Sequence, residues 1–218
     1  MPSVHRSWPD LTPLPASEGA WLVPFTGRIG TVGWVVGAQW PRCAVVPHGR
    51  AGDSGTDRPA GSPGCLDEPT AEAIGAVLAR HTADPGDCVA GLWEGWGWLR
   101  GSPAVAAFES TADEPPAPPA FAEAVLRAPR LTIPGRAYLL FAASVDDLGE
   151  LEAGAWGVQS PNLMWPRSRA WCLGTEVDLC ATIVGGSDRL VEDLLALPGA
   201  VEADSTERLR PEWGRGTA

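Results

Sequence analysis

Lysine is missing from this chain. All 16 basic residues among its 218 positions are arginine. Pyridoxal-phosphate enzymes and Schiff-base aldolases need a lysine amine, and P-loop phosphate sites normally need one as well, so these classes are close to excluded. Histidine is scarce, at 5, 48 and 81, and tyrosine occurs once. The five cysteines, at 43, 65, 88, 172 and 180, contain no CxxC pair and are odd in number, which points to a reduced, cytoplasmic protein. The amino terminus lacks the apolar core of a signal peptide, and no apolar run approaches membrane-spanning length, so no membrane association is expected.

Positive charge is also in short supply. With 27 acidic residues the formal charge is −11, and the arginines are scattered rather than clustered. A phosphate backbone would be repelled, so no nucleic-acid partner is expected and a basic or neutral partner is favoured. What the chain does have is apolar material: 44% hydrophobic residues, with 11 tryptophans, enough for a globular domain with a substantial core.

Residues 1–18 are punctuated by proline and read as an extended arm. The runs WLVPF, TVGWVVG and CAVV between 20 and 46 read as short strands broken by glycine and proline. A loop rich in Gly, Pro, Asp and Ser follows at 48–65. Ile74, Val77, Leu78 and His81 stand at i, i+3, i+4 and i+7 and predict a helix over 69–81, opened by Asp67 or Glu68 with Pro69 in its first turn. His81 ends that apolar stripe and reads as a packing or capping residue. CVAGLW at 88–93 predicts a strand, and STADEPPAPP at 110–119 a connector between two coupled halves. A short helix follows, with Phe121, Val125 and Leu126 on one face. AYLLFAA at 137–143 is apolar throughout and predicts a buried central strand.

Ser144 with Asp147 forms a capping-box pattern for a helix over 145–152. Ser187 caps a last helix over 188–197, with Gly199 beyond its end. Residues 205–218 read as a tail, either a surface strap or disordered. The expected fold is therefore α+β: residues 19–204 as one domain, with a single mixed or antiparallel sheet and three or four helices packed on it.

Several motifs invite a function and fail on spacing. Glycines 27, 30, 33 and 37 do not form GxGxxG, and no helical pattern follows them. Residues 52–55 spell the GDSG of chymotrypsin-like proteases, but too little chain precedes them for that family's histidine and aspartate. Cys43 with His48, and Cys172 and Cys180 flanking Glu176 and Asp178, lack any zinc spacing. No metal and no cofactor are expected.

HTADPGDCVAGLWEGWGWL at 81–99, GRAYLLFAA at 135–143 and SPNLMWPRSRAWCLGTEVDLCATIVGGSDRLVEDLL at 160–195 together resemble a family of proteins of roughly this length from high-GC actinobacteria. An Arg-only, Ala/Gly/Pro-rich composition suits such a genome. The resemblance implies one fold across most of 20–200 and brings no activity with it.

The densest chemistry lies at 165–178, WPRSRAWCLGTEVD. Read as a strand, residues 170–179 put Trp171, Leu173, Thr175, Val177 and Leu179 on a buried face and Cys172, Gly174, Glu176 and Asp178 on the other. Two residues of strand advance about 7 Å, a spacing that carboxylate chemistry can use. The candidate catalytic residues are Glu94, Glu176 and Asp178. Candidate ligand-binding residues are Trp93, Trp96, Trp98, Trp165 and Trp171 as stacking surfaces, with Arg167 and Arg169 as anion forks. The competing reading makes Glu176 and Asp178 ordinary charges on a wet sheet face and the tryptophans ordinary core. On that reading the chain is a cytoplasmic binding or protein-interaction module with an acidic, tryptophan-rich surface, taking a small-molecule ligand or a basic protein partner. The alternative is a hydrolase-like enzyme using carboxylate acid/base chemistry in a tryptophan-lined cleft. The stretch 165–178 becomes a site only if WEGWGW at 93–98 comes to meet it.

Overall fold

The computed structural model describes residues 6–48, 63–101, 118–149, 151–153 and 157–214. It shows an α+β fold built on one antiparallel sheet of nine strands. In chain order these are β1 (Pro13–Leu14), β2 (Arg42–Pro47), β3 (Cys88–Trp93), β4 (Leu131–Ile133), β5 (Arg136–Ala143), β6 (Leu163–Pro166), β7 (Cys172–Thr175), β8 (Ala181–Gly185) and β9 (Val201–Asp204). Their order across the sheet is β1-β5-β3-β6-β7-β8-β2-β9, with β4 pairing the start of β5 beside β1. The helices are α1 (Val32–Val36), α2 (Glu68–Arg80), α3 (Glu123–Leu126) and α4 (Asp188–Leu195).

The sheet is larger than the sequence pattern suggests, and both of its faces are covered. Alternate residues of each strand feed two separate cores. Ala44, Ala90, Phe141, Met164, Leu173 and Val184 pack under α2, α4 and Trp8. Val45, Val89, Leu140, Leu163, Cys172 and Ile183 pack under α1, Leu22 and Trp213. Antiparallel strands buried on both sides lose the in-out alternation that marks a half-wet sheet, so they read as continuous apolar runs.

The expected helix at 69–81 forms as α2, capped where Asp67 accepts a hydrogen bond from the Thr70 amide (3.0 Å), with Pro69 in its first turn and His81 at its C-cap. The expected strands at 88–93 and 137–143 form as β3 and β5. Ser187 caps α4 by accepting from the Leu190 amide (3.3 Å). The capping box at Ser144 and Asp147 is present, but it opens only a single 3-10 turn, Val145–Leu148, and not a helix to 152. The connector at 110–119 lies largely, and the GDSG at 52–55 wholly, outside the described residues.

Three readings need correction. WLVPF forms a 3-10 turn, Val23–Phe25, and TVGWVVG forms α1, neither of them a strand. The amides of Val32 and Gly33 donate to the carbonyls of Glu207 (2.9 Å) and Ser205 (2.7 Å), and Gly37, at φ +99, ends the helix. All five residues of α1 are buried, so packing on the sheet overrides the β-propensity of its valines. The strand expected over 170–179 stops at Thr175, and residues 176–180 form the β7–β8 connection. Cys172 and Gly174 therefore face a covered core, not water. The segment read as an arm is also docked: Trp8 is fully buried and its indole N–H donates to the Gln159 carbonyl (2.7 Å). Near the carboxyl end, the Cys180 amide donates to the Trp213 carbonyl (2.7 Å), so residues 205–213 strap the second face.

Gly174 shows how closely that face is covered. A Cβ there would meet Val35 Cγ1 at 2.4 Å and the Val35 carbonyl oxygen at 3.2 Å. We expect Gly174→Ala to destabilise the fold by about 1–3 kcal/mol through overpacking, read as a lower urea midpoint; an unchanged midpoint would mean that α1 is not pressed on β7.

Candidate functional site

Antiparallel register collects one set of strand termini at one end of the sheet. Trp93 at the end of β3 pairs with Tyr138 near the start of β5, and Thr175 at the end of β7 pairs with Thr182 near the start of β8. Glu176 and Asp178 follow β7 at this same end, and Glu94 and Trp96 follow β3. The two stretches do meet, through a residue that the sequence reading passed over.

Arg136, the first residue of β5, is the link. Its guanidinium carbon lies 5.1 Å from the Trp34 ring centroid and 5.5 Å from that of Trp93, a cation between two indoles. The same guanidinium donates to Glu176 and, at 3.0 Å, to Asp178 Oδ2. Glu176 is 5% exposed, whereas the side chain of Asp178 is 82% exposed. Burial pushes the Glu176 carboxyl above the usual carboxylate range, and Arg136 pulls it back down. A buried glutamate persists here because a planar, always-charged fork satisfies it while stacking on aromatic rings.

Asn162 is a second hub. Its Oδ1 accepts from the Trp93 amide (3.1 Å) and from the Trp96 indole N–H (2.9 Å), while its Nδ2 donates to the carbonyls of Gly64 (3.1 Å) and Thr175 (3.2 Å). A Cβ on Gly64 would lie 2.8 Å from Val177 Cα and 3.0 Å from the Trp96 ring, so Trp96 lies close against the β7–β8 connection. Behind it, the hydroxyls of Thr175 and Thr182 stand 2.9 Å apart, and His48 Nε2 lies 3.0 Å from Thr182.

The other candidates disperse. Glu94 pairs with Arg130 (3.1 Å), whose guanidinium also donates to the Leu126 carbonyl at the end of α3 (2.6 Å). It shares no arginine with Glu176. Trp98 is buried in the first core against Phe121. Trp165, Arg167, Arg169 and Trp171 lie at the opposite end of the sheet, where Pro166 pairs with Cys88 and Cys172 with Gly185. Trp165 is buried edge-on to Trp21, and the fully buried Trp171 donates its indole N–H to the Thr82 hydroxyl (2.8 Å). Arg167 is already engaged by Glu18 (2.5 Å) and Asp87 (3.2 Å), and Arg169, at φ +56, lies over the Trp21 ring.

All five cysteines are buried and free of disulfides. Burial pushes the thiols of Cys43 and Cys88 up to about 12 and raises that of Cys172 as well, which keeps them protonated. Among the described residues no three His, Cys, Asp or Glu side chains gather as a metal site, and no helix is long and apolar enough to cross a membrane. No family model, curated protein or solved structure matches the chain.

Arg136 had no place in the sequence reading, although a signal was available: an arginine opening an otherwise apolar, doubly buried strand needs a carboxylate partner. The pair has a definite pH signature. A carboxylate raised in the folded state stabilises the fold below its unfolded pKa, and that contribution is lost as pH rises through the folded value. In Arg136→Met the pull on Glu176 disappears and its carboxyl climbs further. We expect a loss of about 3–5 kcal/mol near neutral pH, as for any buried charge stripped of its partner, shrinking as pH falls into the usual carboxylate range. Adding Glu176→Gln should remove that pH dependence. Urea unfolding of both variants across pH measures it, and wild-type stability of Arg136→Met at neutral pH would refute the pairing.

Proposed function

We propose that the protein is a non-catalytic cytoplasmic binding module, and that its recognition surface is the sheet end carrying Trp93, Trp96, Glu94 and Asp178. The partner it suits is a basic protein segment, an arginine or lysine side chain being the group recognised. One observation carries this reading: Gly64 lies against both the half-buried Trp96 ring and the β7–β8 hairpin, whose Asp178 side chain is 82% exposed. An aromatic face beside a carboxylate is the combination that binds guanidinium or ammonium groups. The protein already uses that chemistry internally, since Arg136 sits between Trp34 and Trp93 against Glu176. The −11 charge favours the approach of a basic partner from a distance. Free buried thiols fit a reducing compartment.

The hydrolase reading keeps one supporting observation, the upward shift of the buried Glu176 carboxyl, which suits an acid/base group. It requires Arg136 to release that carboxyl. Glu94, Glu176 and Asp178 are each held by an arginine, which supports their use as fixed charges and not as proton carriers.

A fluorescein-labelled arginine-rich peptide, followed by anisotropy at physiological salt, tests the binding reading. Asp178→Asn and Trp96→Ala should each weaken binding by about 1–2 kcal/mol, roughly tenfold, as interface hot spots do. Glu72→Gln, an exposed carboxylate on α2, should leave it unchanged. Equal losses in all three variants, or no binding by the wild type, would end this reading.

A further inference from the structure

Away from that sheet end, two arginines line one cavity. Arg28 lies in the turn before α1 and Arg208 in the segment after β9. The two stretches are laced together: Thr31 bridges Arg208, the Leu209 amide donates to the Gly30 carbonyl (2.9 Å), and the Val32 amide donates to the Glu207 carbonyl (2.9 Å). Within the turn, the Thr31 amide (3.0 Å) and hydroxyl (2.7 Å) both donate to the Arg28 carbonyl. This backbone lacing sets Arg28 and Arg208 around one cavity of about 390 Å³, whose wall also includes Ile29, Thr31, Ala38 and Thr206.

Among the described residues no carboxylate lines the cavity, although acidic residues outnumber basic ones 27 to 16 in the chain. Some arginines are matched, Arg42, Arg136 and Arg167 each holding two or more acidic side chains, and others, such as Arg100 and Arg189, hold none among the described residues. Among the described residues Arg28 and Arg208 hold none. An oxyanion held by two guanidiniums takes charge-assisted hydrogen bonds that match their fork geometry. The wall also offers apolar contact. Ile29 is 58% exposed, and the neighbouring Phe25, whose carbonyl accepts from the Ala38 amide (2.6 Å), is 47% exposed. The volume is that of a small-molecule site.

We propose that this cavity binds a small organic anion, its carboxylate or phosphate group held by Arg28 and Arg208 and its apolar body resting on Ile29 and Ala38. The site shares no residue with the Trp93–Asp178 surface and does not depend on the binding reading made for it. The overall charge of −11 repels free anions, so an anion that binds must do so through local positive charge.

Calorimetric titration with benzoate, phenyl phosphate, inorganic phosphate and the neutral benzamide tests the proposal. We expect saturable binding of benzoate or phenyl phosphate, the tighter of the two naming the oxyanion, with inorganic phosphate weaker than phenyl phosphate and benzamide not bound. Arg28→Gln and Arg208→Gln, both at exposed positions, should each weaken the better anion about tenfold or more, with unfolding midpoints unchanged in the absence of ligand. Failure of both aromatic anions to bind, binding of benzamide as tight as that of benzoate, or undiminished anion binding by both folded variants would overturn the proposal. Inorganic phosphate binding as tightly as phenyl phosphate would overturn its apolar half.

Discussion

The rest of the structure depends on covering an antiparallel sheet on both of its faces. The central strands β3, β6, β7 and β8 carry buried side chains on either side, so neither face tolerates charge at its middle. One cover is the familiar kind, the amphipathic α2 and α4. The other is assembled from irregular pieces: the five-residue α1, the segment around Leu22, and the strap ending at Trp213. Glycine makes room where these pieces come closest, at Gly174 under Val35 and at Gly185 under Trp40. Charged groups are thereby displaced to the ends of the strands, which is where the chemically capable residues are found.

At one such end the Arg136–Glu176 pair resolves a conflict that burial creates. A carboxylate that is 5% exposed loses most of its hydration, and an unpaired one would take up a proton. Arg136 offsets this with a fork to Glu176 and Asp178 and contact with two indole rings. Stacking between rings also limits the number of conformations open to the guanidinium, so Trp93 and the β7–β8 connection stay in register with each other. Asn162 does the same for Trp96 through its four hydrogen bonds. Side chains held by such contacts have less freedom left to lose on binding.

The parts of the fold legible in the sequence were those governed by local rules. The cap at Asp67, the stripe Ile74–Val77–Leu78 and the continuous apolar run of β5 all have local or compositional signals, whereas the meeting of 93–98 with Glu176 and Asp178 stood in the sequence only as a condition. What stayed hidden depends on partners distant in the chain. TVGWVVG has the composition of a strand, and its helix exists because residues 205–207 take up its first amides. Alternation placed Glu176 and Asp178 on a wet face, because nothing near residue 174 announces that α1 lies on it. Trp165 and Trp171 stood next to the carboxylates in sequence, yet a strand runs away from its own start, and antiparallel register leaves them at the far end. The stacking partner Trp34 is 102 positions from Arg136, beyond the reach of any periodicity.

The absence of lysine fits the way this fold uses positive charge. A guanidinium can hold two carboxylates at once in a fixed plane, which an ammonium on a flexible stem does poorly. Arg167 joins Glu18 to Asp87, and Arg42 on β2 reaches Asp188 and Glu192 of α4 and Glu202 of β9. Each such exposed bridge contributes little on its own, about 0–1 kcal/mol. Their shared effect is to tie together segments that the apolar cores leave free to slide, and to spend arginine where the acidic excess would otherwise repel. Arg28 and Arg208 take no part in these bridges: neighbours through the Thr31 bridge, they line one cavity in which no described residue places a carboxylate. In a chain with a charge of −11, a cavity lined by two guanidiniums and by no described carboxylate is a local reversal of sign, and it is the local field that a small anion meets on arrival.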